Sequence, residues 1–407
     1  MNGRRLAGAR VGRLAGSLIL AGLSAAPASA QPAPWEAERF TAGWVFTPAI
    51  VFGGMWDTNV TLRNDPTNVD PELSELVGIV NPRGELSFNG RRSKFSAGYS
   101  GRLETYRTLE ELTRYDQRAR AEAEYRMTPR LRFSTRHDVH VTPTTDALDL
   151  SGLPFVRVGS RLVASGGSLS ADVTRRMSVT AAYAFQWASF DRDPRFARLR
   201  GGHQHSPSVE VAYAVTRRLK AGGTWTYRHA SIDGADEIFD TQQVAAVAEY
   251  DLSEATSIRG MAGIAHLRVS GTDATRTGPS YGAGISHDMR QTTVTAGYER
   301  SFVPSFGFGG MTASQVVRAG VNTAFLQGRM FVGGSLSYRR TTPVLATSFP
   351  IELSSWWTTG TVGYAVARWL RVEGFYTRTH QESSAQGNVD RNRVGVQFVT
   401  SKPVRIQ

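Results

Sequence analysis

The chain has 407 residues, with 47 Lys and Arg against 35 Asp and Glu, a formal charge of +12 and no cysteine. The absence of thiols excludes disulfides, thiolate metal sites and lipoprotein attachment. A mean hydropathy of −0.28, with no apolar run of about 18 residues beyond the N-terminal segment, excludes a helical membrane protein but not a barrel.

Residues 1–30 read as a secretory signal peptide. Arg4, Arg5, Arg10 and Arg13 form its positive region, Leu14 to Leu23 is an apolar core too short to span a bilayer, and Ala28-Ser29-Ala30 supplies the cleavage site. Without those four arginines the charge is about +8. That surplus suits anionic lipid headgroups or anionic solutes, and export makes nucleic acid the least fitting partner. Residues 31–42 are expected to form a short periplasmic N-terminal segment.

From Gly43 onward an alternating segment, a tight basic turn and another alternating segment recur. The pulse reads AEYRMTPRLRF around Thr128, SADVTRRMSV around Arg175, VAYAVTRRLKA around Arg217, NTAFLQGRMFV around Gln327 and GYAVARWLRV around Arg368. Such repetition writes an up-and-down meander. Eighteen strands are predicted, at about 43–54, 76–89, 92–106, 114–127, 130–141, 156–174, 177–190, 205–215, 218–230, 241–252, 255–268, 279–288, 291–302, 313–326, 329–341, 353–367, 370–379 and 390–400. Sixteen is the nearest alternative count. A tilted strand of about 9–11 residues crosses a bilayer, and short turns on one rim with long loops on the other follow the outer-membrane pattern. The predicted fold is therefore all-β: a transmembrane antiparallel up-and-down β-barrel over 43–400, closed because lipid tolerates no open edge. Pro403 stops the last strand, and residues 401–407 are expected to be an irregular periplasmic tail.

Facing follows from alternation. Ala119, Ala121, Ala123, Tyr125 and Met127 share one face, and Arg118, Arg120, Glu122, Glu124 and Arg126 share the other. Tyr125, Tyr213, Tyr250, Phe325 and Tyr364 fall just before tight turns, while Trp187, Trp225, Tyr227, Tyr298, Tyr338, Trp356 and Tyr376 fall near the opposite strand ends. Two heights of amphipathic rings predict two interfacial girdles.

The densest polar feature is the predicted lumen wall of the third to fifth strands. Arg102, Arg118, Arg120, Arg126, Arg132 and Arg136 face inward, interleaved with Glu104, Glu122, Glu124, Asp138 and His140. Two readings stand: a charged wall that sets ion selectivity with a weak anion preference, or cross-strand pairs that hold the wall together. Asp57, Asp65, Asp70, Glu72 and Glu75, and likewise Asp233, Asp236, Glu237 and Asp240, are read as solvated loop acids, since their spacing matches no calcium loop. His203 and His205 form an H-x-H in a Gly-flanked loop without a nearby third ligand. His229, His266 and His287 are placed toward lipid, but no nucleophile elbow accompanies them, so neither enzyme, metal site nor cofactor is expected. The long loops 55–75 and 142–155 are candidates to fold inward as constrictors.

Arg393, Gly395 and Phe398 give the last strand a polar residue, a glycine and an aromatic, which resembles the signal read by the barrel-insertion machinery. The opening strand FTPAIVFGGMWDTNVTL, the hairpin GELSFNGRRSKFSAGYS and the A-Y-x-V-T-R-R-L turns together resemble an outer-membrane β-barrel porin family often associated with exopolysaccharide loci. The resemblance implies a barrel of similar strand number and a role in polysaccharide passage, and it supplies no catalytic residues. The expected function is a porin-like channel in the bacterial outer membrane for passive or facilitated passage of polar, including anionic, solutes, embedded in lipid and lipopolysaccharide. A component of exopolysaccharide secretion and a non-conducting structural or adhesive barrel are the alternatives.

Overall fold

The computed structural model describes residues 42–62, 73–196, 199–234, 237–271, 274–345, 351–384 and 387–406. The signal segment 1–30, nearly all of 31–42, and the acids Asp65, Asp70, Glu72 and Asp236 lie outside the described residues.

The strands are β1 (Gly43–Asp57), β2 (Glu75–Asn89), β3 (Ser93–Tyr106), β4 (Arg114–Arg126), β5 (Leu131–Thr142), β6 (Ser160–Asp172), β7 (Met177–Phe190), β8 (Gly202–Ala214), β9 (Leu219–Ile232) and β10 (Ile238–Asp251). They continue as β11 (Thr256–Ser270), β12 (Thr275–Asp288), β13 (Thr292–Pro304), β14 (Met311–Phe325), β15 (Met330–Pro343), β16 (Leu353–Ala367), β17 (Leu370–Ser383), β18 (Gly387–Ser401) and β19 (Val404–Ile406). From β1 to β18 each pairs antiparallel with its chain neighbour, and β1 pairs with β18 from Ala49↔Ser401 to Asp57↔Arg393. Eighteen strands thus close on themselves. The tail departs from expectation: after the break at Pro403, Val404–Ile406 resumes pairing with Trp44–Phe46, so β19 continues β18 instead of trailing as irregular peptide.

The turn chemistry explains the sequence pulse. In each Thr-x-x-x turn the hydroxyl caps the backbone: Thr174 Oγ1 accepts from the N–H groups of Arg176 (3.2 Å) and Met177 (3.0 Å). Thr216 does the same for Arg218 and Leu219, and Ser253 for Ala255 and Thr256. The N–H of that same first residue closes the loop onto the carbonyl three residues on, at 3.2 Å for Thr174 and 3.1 Å for Thr216. A self-capping turn of this kind needs no partner outside itself, so it fixes register where the chain reverses.

Alternation sorts the two walls. Along β1, Trp44, Phe46, Ile50, Phe52 and Trp56 are exposed on the outside, while Val45, Val51, Met55 and Asp57 are buried on the inside. An apolar band this exposed around a closed sheet is the outer surface of a membrane-spanning barrel. Tyr125, Tyr213, Tyr250, Phe325 and Tyr364 all stand exposed at the tight-turn rim. Trp356 is exposed toward the other rim, where Tyr338 packs on it at 4.4 Å, whereas Trp225 and Tyr376, expected there too, stand exposed at mid-strand.

Two other local expectations change. His203 and His205 are not in a loop: they sit at the start of β8 on the outer wall, where His205 contacts Tyr183, Phe185 and His229. Asp57 and Glu75 are not solvated, because β1 and β2 run three residues and one residue further than read; Asp57 is fully buried, and Glu75 accepts from the N–H of Thr108.

Ile264, at mid-height on β11, is among the most exposed apolar side chains of the outer wall (61%). Ile264→Arg should therefore cost about 2–4 kcal/mol of folding stability in lipid vesicles. A urea titration followed by tryptophan fluorescence measures this, and Ile264→Leu should leave the midpoint unchanged.

Candidate functional site: a loop across the lumen

The connection from β5 to β6, residues 143–159, turns inward rather than outward. Its neck is tied at Thr145, whose N–H donates to the Val156 carbonyl (3.0 Å) and whose hydroxyl accepts from the Val156 N–H (2.7 Å). Beyond that neck the tip leaves its own wall. Gly152 takes a left-handed conformation (φ +68°), and a side chain there would collide with Ser305, so the tip can pack against the β13–β14 loop only with glycine at this position. Leu148, Leu150 and Leu153 bury themselves with Leu162, Ala188 and Phe306. A solvated loop has no use for these apolar side chains; one folded into a lumen does.

The tip is fastened to the far wall by charge. Asp149 binds Arg318 on β14 (3.0 Å) and Arg339 on β15, half a ring away from β5 and β6. Asp146 accepts from Arg391 Nη1 (2.9 Å) and Arg393 Nη2 (3.1 Å) on β18. Arg391 also grips Asp57 through Nε, 3.0 Å from both carboxylate oxygens, and is itself 1% exposed. Neutral contacts complete the seat. Gln381 on β17 accepts from the Phe155 N–H (2.7 Å) and donates to the Leu153 carbonyl (3.0 Å). Trp357 on β16 donates Nε1–H to the Asp146 carbonyl (3.1 Å) and meets Phe155 edge-on at 5.1 Å. On the near side Arg157 donates to the carbonyls of Val60 and Leu112 and lies over the Tyr106 ring.

Burial alone would push the Asp149 carboxyl up, but the guanidiniums of Arg339 and Arg318 hold it below the ordinary carboxylate range. Asp149 thus fastens the loop tip as a carboxylate that stays ionised at physiological pH.

The predicted wall residues form a ladder on β3, β4 and β5. Arg118 pairs with Asp138 (2.8 Å), Arg132 with Glu124 (3.3 Å), Arg136 with Glu122 (3.4 Å) and His140 with Asp116 (2.9 Å). Arg102 lies 2.9 Å from Glu104, and Arg126 lies 4.0 Å from Glu124. Arg120 forms no ion pair with a described residue, so the inward wall keeps an uncompensated cation. On β18 the three residues of the terminal pattern separate. Arg393 points inward to Asp57 and Asp146, Phe398 points outward and stacks on Phe52 at 5.4 Å, and Gly395 lies so close to the Gly54 carbonyl that no side chain fits. Sequence reasoning placed the loop among its candidates by length. It missed the far-wall partners Arg318, Arg339, Arg391, Trp357 and Gln381, which only the ring order brings opposite Asp146 and Asp149. Among the described residues no group of His, Asp and Glu is placed to hold a metal.

No family model and no curated protein matches the chain. Solved structures do: Acinetobacter baumannii OccAB4 at 9% identity over 89% of this chain and 99% of that one, with a TM-score of 0.43. Pseudomonas aeruginosa OccK5 (OpdH) matches at 10% identity over 88% and 98%, with a TM-score of 0.43. The Pseudomonas aeruginosa outer membrane protein OpdK matches at 10% identity over 88% and 99%, with a TM-score of 0.42. At these values the likeness concerns overall form alone.

Removing one member of a buried charge cluster leaves the others unpaired, at a cost of about 3–5 kcal/mol. Arg391→Leu should therefore free the tip, seen as new protease cleavage within 143–159 while the strands stay protected. The Asp149 pairing acts with a depressed carboxyl, so its contribution is complete above the unfolded value of about 3.9 and is lost as pH falls through the lower folded one. Cleavage of the unaltered protein should stay absent from neutral pH down to about pH 4 and appear only below it. Asp149→Asn should abolish that acid step.

Proposed function

We propose that this chain is an outer-membrane channel for the passive or facilitated passage of polar, including anionic, solutes. The observation that carries the reading is the loop 143–159, braced across the lumen by buried ion pairs. A loop held at defined height against the opposite wall narrows a wide barrel without sealing it by sheet, and it lines the remaining space with charge. The export signal, the apolar outer wall and the exposed aromatic ring at the tight-turn rim support the bacterial outer membrane, with lipopolysaccharide and lipid against that wall.

The wall on β3 to β5 supports a weak anion preference. Arg102, Arg118, Arg120, Arg126, Arg132 and Arg136 outnumber the carboxylates paired with them, among them Glu122 and Glu124, and Arg120 is left over. Arg393, Gly395 and Phe398 serve on β18 as the signal for the insertion machinery in this reading, with the lipid-facing Phe398 as the side chain a membrane-bound partner reaches. The exopolysaccharide conduit gains no comparable support. Of the inward aromatics Phe190 packs on the leucine cluster, Trp357 on Phe155, Phe375 on the Met55 cluster and Phe331 under Arg371, so they form no open stacking track for sugars.

Planar-bilayer recordings test the proposal. Purified protein should give small discrete steps, and deletion of 143–153 should enlarge them severalfold. In a KCl gradient the reversal potential should take the anion-selective sign. Silence from both proteins would return the chain to a structural or adhesive role, and cation selectivity would remove the anion preference.

A further inference from the structure

The tight turns carry a motif that neither the wall nor the inward loop uses. Three neighbouring reversals read Met127-Thr128-Pro129-Arg130, Val173-Thr174-Arg175-Arg176 and Val215-Thr216-Arg217-Arg218, with five arginines and no acid. All five arginines are exposed, and none has a side-chain hydrogen bond or ion pair with a described residue. Asp172 and Asp251 hold these turns by backbone alone, their N–H groups donating to the carbonyls of Arg130 and Arg218 at 2.8 Å. Turn chemistry does not ask for the cations. The Thr hydroxyls cap backbone N–H groups, whatever side chain follows. Ser253 makes the same bonds in the turn Ser253-Glu254-Ala255-Thr256, so the reversal forms without arginine.

What the arginines share is their place. Met127 and Val215 stand two residues beyond the exposed rim aromatics Tyr125 and Tyr213, and face outward with them. Val173 continues the outward face of Leu169 in the same way. Each turn therefore lays one last apolar side chain against lipid and sets its guanidiniums two or three residues further on, at the level of the headgroups. Neighbouring turns are two strands apart, roughly 10 Å, so the long side chains of two turns can close on one headgroup. The pattern returns, with a single arginine, at Met289-Arg290 and Val366-Ala367-Arg368.

Cations that served only the channel mouth would need no apolar side chain beside them. An acidic soluble partner would answer the charge and leave the apolar residues unused. A phosphodiester that carries acyl chains answers both. Phosphatidylethanolamine brings an ammonium that guanidiniums repel, whereas a net anionic headgroup does not. We propose that the β4–β5, β6–β7 and β8–β9 turns form a binding face for anionic glycerophospholipids of the periplasmic leaflet, an inference that rests on the barrel's place in the outer membrane but not on conduction. The phosphate accepts from guanidiniums of adjoining turns, and the acyl chains lie against Met127, Val173 and Val215.

Native mass spectrometry tests this on the full chain released from nanodiscs of phosphatidylethanolamine with a minority of phosphatidylglycerol. The retained lipid should be enriched in phosphatidylglycerol about fivefold or more over the bilayer. Arg175→Gln, Arg176→Gln, Arg217→Gln and Arg218→Gln combined should return it to the bilayer composition, and Arg217→Gln with Arg218→Gln alone should fall between. Heat-modifiable gel migration should show both variants folded, since the caps use backbone N–H groups. Arg161→Gln, on β6 at the opposite rim, should leave the enrichment unchanged. Inorganic phosphate, compared with chloride at equal ionic strength, should not displace the lipid. Bilayer composition around the unaltered protein, or equal enrichment in both variants, would overturn the site. Displacement by inorganic phosphate would make it a site for soluble anions and overturn the lipid assignment. Failure of the unaltered protein to enter nanodiscs would overturn the membrane reading, and this site with it.

Discussion

A sheet whose outer wall faces hydrocarbon must answer every backbone N–H and C=O within itself, because the solvent there offers neither donor nor acceptor. Everything else in this barrel depends on that closure. It requires the first strand to pair on both sides, and β1 does so, along its whole length with β2 and from Ala49 onward with β18. It also restricts where the ladder can lapse. The lapses at Pro82 and near Pro207 are brief, and pairing resumes in the same register on either side.

Once the wall is closed, the interior becomes a second problem with different physics. Its residues are free to be charged, but charges withdrawn from water need partners on all sides. Asp57, Asp146 and Arg391 meet that demand as a set, each nearly or fully buried, with Arg391 ion-paired to both carboxylates. Burying such a set gains little net stability over an apolar packing. Its value lies in position: a carboxylate and a guanidinium match in few orientations, whereas a purely greasy loop could settle at many heights. The leucine cluster around Phe306 supplies the affinity, and the ion pairs supply the address.

Most of the wall was legible in the sequence because it is periodic. Alternation sets the facing of β4 and β5 residue by residue, and the Thr or Ser that opens four of the tight turns is a hydroxyl cap that any reader of turns can find. What was not legible is what depends on the ring. Arg318, Arg339 and Arg391 look like any inward arginine along the chain, and only closure sets them opposite Asp146 and Asp149. Counting residues from loop composition also misjudged Asp57 and Glu75, since an acid at a strand end reads the same whether it faces solvent or a buried guanidinium. The usable signal was the run Leu148, Leu150, Leu153 and Phe155, too apolar for a solvated connection.

The Arg391 contacts join three distant stretches of chain, reaching back 334 residues to Asp57 and 245 residues to Asp146. Beginning, middle and end meet at a single guanidinium. The guanidinium that holds Asp146 stands on the eighteenth strand, so this end of the inward loop gains its charged anchor only where the first and last strands have found each other. That one knot of the interior is tied only when the perimeter is sealed.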